Sequence, residues 1–258
     1  MLYRPTVFAP FPGLLAAQST RHGGVSAAPY HSLNLGKSTD DDPAAVAENR
    51  RRFCAALGFQ TEQLAISRQV HADRIQVVTA PGLSEGFDAL VTNLPGILLG
   101  VSVADCTPIL IFDHKNEAIA AIHAGWKGTA AGIVATTLNC LAVQFGSVGA
   151  DCRAYVGTCI DECSFEVGEE VAMAFAPDFK RFDGEKGKFF VDLKKANTAQ
   201  LLAFGVPANQ IEISPYSTML HNEDYFSHRK EKGVTGRMLA VIGLLEDKPG
   251  TNGAAMGY

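Results

Sequence analysis

Apolar residues along this chain recur in short blocks more than in helical stripes, and the blocks predict a protein rich in strands. LAISRQVH (64–71) and RIQVVTA (74–80) read as two short strands with a tight connection at Ala72–Asp73. DALVT (88–92), GILLGVSVA (96–104), PILIFD (108–113) and EAIAAIH (117–123) follow as four more, several of them apolar at nearly every position. A strand with one wet face alternates polar and apolar residues, so these blocks predict strands covered on both faces. Helical patterns occupy four segments. Residues 41–58 have Asp42 as a candidate cap, Pro43 in the first turn and Gly58 at the end. Residues 128–146 are rich in small side chains, 165–176 form a shorter pattern, and 192–205 close on Gly205. CRAYVG (152–157), IEISPYST (211–218) and TGRMLAVIGLL (235–245) supply the remaining strands.

Strands in groups with helices between them predict an α/β protein of the α+β or mixed-sheet kind, not a doubly wound Rossmann fold. No G-x-G-x-x-G follows the first strand and no G-x-x-x-x-G-K-[ST] occurs, which argues against nicotinamide and P-loop chemistry. The chain has no internal repeat and no long polar linker, so a single domain over 1–258 is expected. A formal charge of −5 gives no footprint for nucleic acid or an anionic membrane surface. Pro5, Pro10, Pro12 and Gly13 interrupt the early apolar residues, a poor signal-peptide core, and no run approaches a membrane span. Six cysteines without an export signal then read as reduced thiols of a cytoplasmic protein. Cys54 and Cys140 fall in helical patterns and are expected in the core, while the single C-x3-C pair, Cys159 and Cys163, is too little for a structural zinc site.

Three residues carry candidate chemistry. His71 ends one predicted strand, Cys106 lies in the break between two, and His123 ends another just before AGWKG. Each alone has an ordinary explanation as a hydrogen-bonding or core residue. Together they suit two alternatives: an open metal site with a vacant fourth position, or a Cys–His nucleophile pair for amide hydrolysis. A non-enzymatic structural site is a third, if a fourth ligand such as Cys159 closes it. Asp105 could orient a histidine or move a proton, or merely cap a strand end. Asn34 and Gln69 could hydrogen-bond a substrate, or only stabilise turns. Arg229 and Arg237 could bind phosphate through their forked guanidinium groups, or form surface ion pairs.

Residues 68–75 (RQVHADRI), 88–129, 157–171 (GTCIDECSFEVGEEV) and 225–243, with RHGGVS (21–26) and SLNLG (32–36), resemble the YfiH-type family. Its members were long labelled multicopper polyphenol oxidoreductases (laccases) and are now described as purine nucleoside phosphorylases. The resemblance runs in order along essentially the whole chain, and ADC-P with HAGW is its most specific part. It implies a layered sandwich of mixed sheets flanked by helices, related to the cytotoxic necrotizing factor deamidase fold. It implies a Zn2+ site at His71, Cys106 and His123, with copper possible on loading. The implied activity is phosphorolysis of adenosine, inosine, guanosine and methylthioadenosine to the base and a ribose 1-phosphate, with adenosine deamination beside it. The implied partners are purine nucleosides and phosphate, and a monomer or weak dimer is expected. The chain departs from the family pattern at Ala72, Lys127, Ser217 and the His228–Arg229–Lys230 run. None of these is a proposed metal ligand, so they bear on substrate preference. A multicopper oxidase needs many more imidazoles than the seven histidines here, several in H-x-H pairs, and the chain has no H-x-H. A single copper would support slow phenol oxidation at most.

Overall fold

The computed structural model describes residues 2–246; Met1 and residues 247–258 of the expected single domain lie outside the described residues. Two six-stranded mixed sheets pack face to face. The first runs, edge to edge, Leu2–Tyr3, Leu14–Ser19, Met238–Leu244, Leu98–Val103, Leu64–Arg68 and Gly82–Glu85. The second runs Ile211–Ile213, Cys152–Val156, Thr107–Asp113, Ala118–Ala124, Ala89–Thr92 and Ile75–Val77. Helices Ile133–Phe145 and Leu193–Ala203 cover the outer face of the second sheet, and Pro43–Ala56 covers that of the first. The outcome is the expected layered sandwich.

Four layers explain the apolar runs. Along Thr107–Asp113, Ile109 and Ile111 face the helices while Leu110 and Phe112 face the other sheet, and every residue is buried. Ala118–Ala124 is buried throughout in the same way, with Ile119 and Ala121 turned inward and Ala120 and Ile122 outward. Neither strand has a wet face, so neither alternates.

Helix Pro43–Ala56 starts as expected: Asp42 accepts a hydrogen bond from the Ala44 amide at 2.9 Å, and Gly58 ends the turn at φ 80°. Other expectations need correction. The predicted helix 128–146 is two helices, Trp126–Ala130 and Ile133–Phe145, broken at Gly132 with φ 81°. Of 165–176 only Glu169–Ala172 is helical; Glu166–Val167 pairs with Lys188–Val191, which pairs with Lys180–Asp183 in a third, small sheet. Phe165 and Val167 are both in the core two residues apart, a strand period that outweighs the helical pattern. The predicted strands 64–71 and 74–80 do not form a hairpin: Leu64–Arg68 and Ile75–Val77 belong to different sheets. Strand Leu14–Ser19, absent from the sequence reading, pairs with Met238–Leu244. Cys54 is buried and Cys140 packs against the core, as expected.

Leu110 is fully buried between the sheets, so Leu110→Ala is expected to cost about 2–5 kcal/mol in denaturant unfolding. A loss well under 1 kcal/mol would mean that the sheets do not share a packed core.

Candidate active site

The two sheets exchange chain at one end of the sandwich, and the candidate residues meet there. Strands Leu64–Arg68 and Leu98–Val103 are parallel neighbours, so both leave the first sheet at the same end. Residues 69–74 cross from one of them to Ile75–Val77, and residues 104–106 cross from the other to Thr107–Asp113. His71 lies in the first crossing at φ 60°, three residues past the strand it was expected to end. Cys106 closes the second crossing, after Asp105 at φ 81°. His123 is the penultimate residue of Ala118–Ala124, opposite Pro108. The rings of His71 and His123 stand 4.8 Å apart at 87°. The donor atoms of His71, Cys106 and His123 lie within 4.8 Å of one another, a group that could hold a metal ion.

A carboxylate absent from the sequence reading holds this group in place. The pairing of Ala89 with Ile122 sets Asp88 against His123, whose amide donates to the Asp88 carbonyl at 2.7 Å. His123 Nδ1 lies 2.8 Å from Asp88 Oδ1, leaving Nε2 as the nitrogen free to bind. Asp88 Oδ1 also accepts from the His71 amide at 2.9 Å, and Oδ2 accepts from Ala72 at 2.9 Å and Val70 at 3.2 Å. Burial pushes the Asp88 carboxyl up, but His123 and the backbone donors outweigh it and hold it below the usual range. Burial also pushes the Cys106 thiol up, yet His123 and His71 pull it down to about 6. His123 is disfavoured as a cation by burial, but the Cys106 and Asp88 charges raise it to about 9. The arrangement is a thiolate between two imidazoles, one of them anchored by a buried carboxylate.

Two glycines of the HAGWKG turn make room for it. A Cβ on Gly125 would sit 3.2 Å from Cys106 Sγ and 3.2 Å from His71 Cδ2. A Cβ on Gly128 would sit 2.9 Å from the Ala72 carbonyl, so the helix at Trp126 packs closely on the His71 crossing. A thiolate, two imidazoles and an open approach are the donor set of a catalytic zinc site, and the Asp88–His123 pair supplies the carboxylate such sites place behind a histidine. Neither Cys159, which is fully buried, nor Cys163, which is exposed, belongs to the group.

The group opens into a cleft of about 650 Å³, within the usual size of a small-molecule site. Asp105, Gln69, Arg229 and Arg237 line it; Asn34 does not. Asp105 does not reach a histidine: its carboxylate accepts from Thr218 Oγ1 and from the Arg229 amide at 2.6 Å. Gln69 donates to the Ser102 carbonyl at 2.9 Å and accepts from the Ser102 amide at 2.8 Å, so its amide is engaged with backbone. Asn34 is buried and spends its amide on Thr39, Asp41, Gly36 and the Arg237 amide. The Arg229 guanidinium donates to the Glu166 carbonyl and lies 5.6 Å over the Phe165 ring. Also on the cleft, and not singled out from the sequence, are Lys37, Arg50, Ile160, Phe165 and His228. Arg50 had a legible signal: it falls on the buried stripe of its helix with Val46, Phe53 and Cys54.

Residues 15–245 match the model of a family described as multi-copper polyphenol oxidoreductase laccase. The chain is 43% identical over 242 residues to a purine nucleoside phosphorylase of Deinococcus radiodurans, covering 93% of each chain. It is 39% identical to one of Bacteroides thetaiotaomicron, covering 87% of this chain and 89% of that one. The crystal structure of YlmD from Geobacillus stearothermophilus superposes with a TM-score of 0.87 at 36% identity, over 92% of this chain and 94% of that chain. That of Bacillus licheniformis hypothetical protein YfiH gives 0.88 at 31%, over 94% and 96%. No helix among the described residues is long and apolar enough to cross a membrane.

Two outcomes follow from the geometry. Asp88→Asn should weaken metal binding about 10- to 100-fold in a chelator competition titration, since outer partners of ligating histidines carry effects of that size. Unchanged affinity would remove Asp88 from the site. In metal-free protein, alkylation of Cys106 followed by peptide mass spectrometry should rise with pH around a midpoint near 6, because the neighbouring imidazoles favour the thiolate. A midpoint at the ordinary thiol value, about 8.5, would show that they do not.

Proposed function

The chain belongs to the family described as multi-copper polyphenol oxidoreductase laccase, and from that membership we propose that it is a zinc-dependent purine nucleoside phosphorylase. The observation that carries the reading is the three-donor group of His71, Cys106 and His123 at the wall of a cleft with room for a small molecule. Adenosine, inosine, guanosine and methylthioadenosine are the proposed substrates, with deamination of adenosine as a side activity. Multicopper chemistry has little support, because seven histidines with no H-x-H are too few for a trinuclear cluster and its partner copper.

In the proposed reaction an oxygen lone pair of phosphate forms a bond to the anomeric carbon. The bond to the purine nitrogen breaks, its electron pair leaves on the base, and the base takes up a proton. A zinc ion, when bound, would act as a Lewis acid there and lower the pKa of bound water, which also suits deamination. His71, Cys106 and His123 would hold it, and Asp88 would keep His123 in the tautomer that presents Nε2. Asp105, next to Cys106 on the cleft wall, is proposed to relay the proton to the base. Phe165 and Ile160 offer an apolar wall for the purine, and Arg229 flanks it.

One observation favours a second reading. A lowered Cys106 thiol beside a raised His123 is also a nucleophile–base pair, which could hydrolyse an amide without metal. Chromatographic analysis of zinc-quantified protein with adenosine or inosine, with and without phosphate, separates the two. Free base plus ribose 1-phosphate, dependent on phosphate, abolished by chelation and absent in Cys106→Ala, is the expected result. No turnover of any purine nucleoside by fully metallated protein would discard phosphorolysis and leave the metal-free amidase.

A further inference from the structure

Besides Arg229, three cations on the cleft wall have no acidic partner. Among the described residues, none of the ion pairs includes Lys37, Arg50 or Arg237. All three line the cleft that holds His71, Cys106 and His123. Arg50 is the most unusual, since it is 6% exposed on a helix face that otherwise packs Val46, Phe53 and Cys54. Its Nε and Nη2 donate to the Leu35 carbonyl at 2.8 and 2.6 Å, and its Nη1 has no protein partner among the described residues. Arg237 Nη1 donates to the carbonyls of Thr235 and Gly236 at 2.8 and 2.9 Å. Its Nε and Nη2 have no protein acceptor among the described residues.

The loop at 34–37 brings these groups together. Asn34 Oδ1 accepts from the Arg237 amide at 2.9 Å, and the Leu35 amide donates to the Arg237 carbonyl at 3.0 Å. A Cβ on Gly36 would lie 2.6 Å from Arg237 Cγ, so glycine lets the loop backbone press against that side chain. Lys37 follows directly, close enough to Arg50 for the two charges to oppose each other. Burial disfavours the cationic form of all three. Unpaired charges, of which Arg50 and Arg237 are the more buried, cost stability unless an anion completes them. Guanidinium forks match the oxygens of a tetrahedral oxyanion.

We propose that Lys37, Arg50 and Arg237 form the oxyanion subsite of the cleft and bind the inorganic phosphate that attacks the nucleoside. Asn34 is a positioning residue of this subsite: it orders the loop and contacts no ligand. Arg229, whose guanidinium is turned to Glu166 and Phe165, belongs to the purine side. The proposal rests on the phosphorolysis reading for the role of the phosphate, though not for its binding.

The test uses zinc-loaded protein and two readouts. One is calorimetric titration with inorganic phosphate, and with adenosine 5′-monophosphate in a parallel arm to separate free from nucleotide phosphate. The other is the pair of KM values for phosphate and for inosine. Arg50→Met and Arg237→Met should weaken phosphate in both readouts about 10- to 100-fold, the effect of losing a charged hydrogen-bond donor, with inosine KM little changed. Arg50→Lys should recover part of the loss. Lys37→Met, at an exposed position, should raise phosphate KM several-fold without altering metal content or unfolding midpoint, and it decides the matter if the Arg50 variants do not fold. Phosphorolysis with phosphate affinity unchanged in these variants would overturn the subsite and leave the proposed function standing. Binding of the nucleotide but not of free phosphate would overturn it as well. Phosphate binding that the variants abolish, in a protein that splits no nucleoside, would keep the subsite and discard the reaction.

Discussion

Asp88 buries a carboxylate at the seam where the chain passes between two sheets, and satisfies it with His123 Nδ1 and the amides of Val70, His71 and Ala72. The energetics are one-sided. A buried anion with four donors is well compensated, but taking any donor away leaves charge uncovered in a place water does not reach. The contact ties a strand of the second sheet to the crossing that leaves the first. Two of the three candidate ligands, His71 and His123, therefore share one anchor. The third, Cys106, is held by the other crossing and by the strand that pairs beside His123.

The fold was legible where burial is complete and obscure where side chains replace backbone. Thr107–Asp113 and Ala118–Ala124 declare themselves because sandwiching removes any need for polar alternation. His71 was expected at a strand end because Gln69 and Val70 continue an extended pattern. The strand stops earlier because the Gln69 amide makes both bonds to Ser102 that a neighbouring strand's backbone would make. No periodicity reveals such a substitution. Leu14–Ser19 was hidden by the prolines before it, which speak only to the residues they occupy.

The site divides the same way. Cys106 and His123 stand at breaks in apolar runs, so their placement could be read from the chain. Asp88 could not, because a charged residue ahead of a strand looks like any turn until the pairing of Ala89 with Ile122 sets it beside His123. Arg50 opens a run of three arginines, and only its place on the stripe of Val46, Phe53 and Cys54 tells it from the other two. A net charge of −5 for the whole chain likewise gives no sign of a cleft lined by cations. Local charge is set by topology, and composition averages it away.

Strand Met238–Leu244 lies between Leu14–Ser19 and Leu98–Val103, so the early and middle parts of the first sheet are joined through a strand distant from both in sequence. Contacts this distant in sequence make folding slow, because loop closure must precede any gain. During synthesis Leu14–Ser19 must wait for a partner that lies far downstream in the sequence. The wall bearing Arg237 arrives with that same segment, so the cleft is incomplete until it is made, and until then Leu14–Ser19 and Leu98–Val103 each carry an unpaired apolar edge.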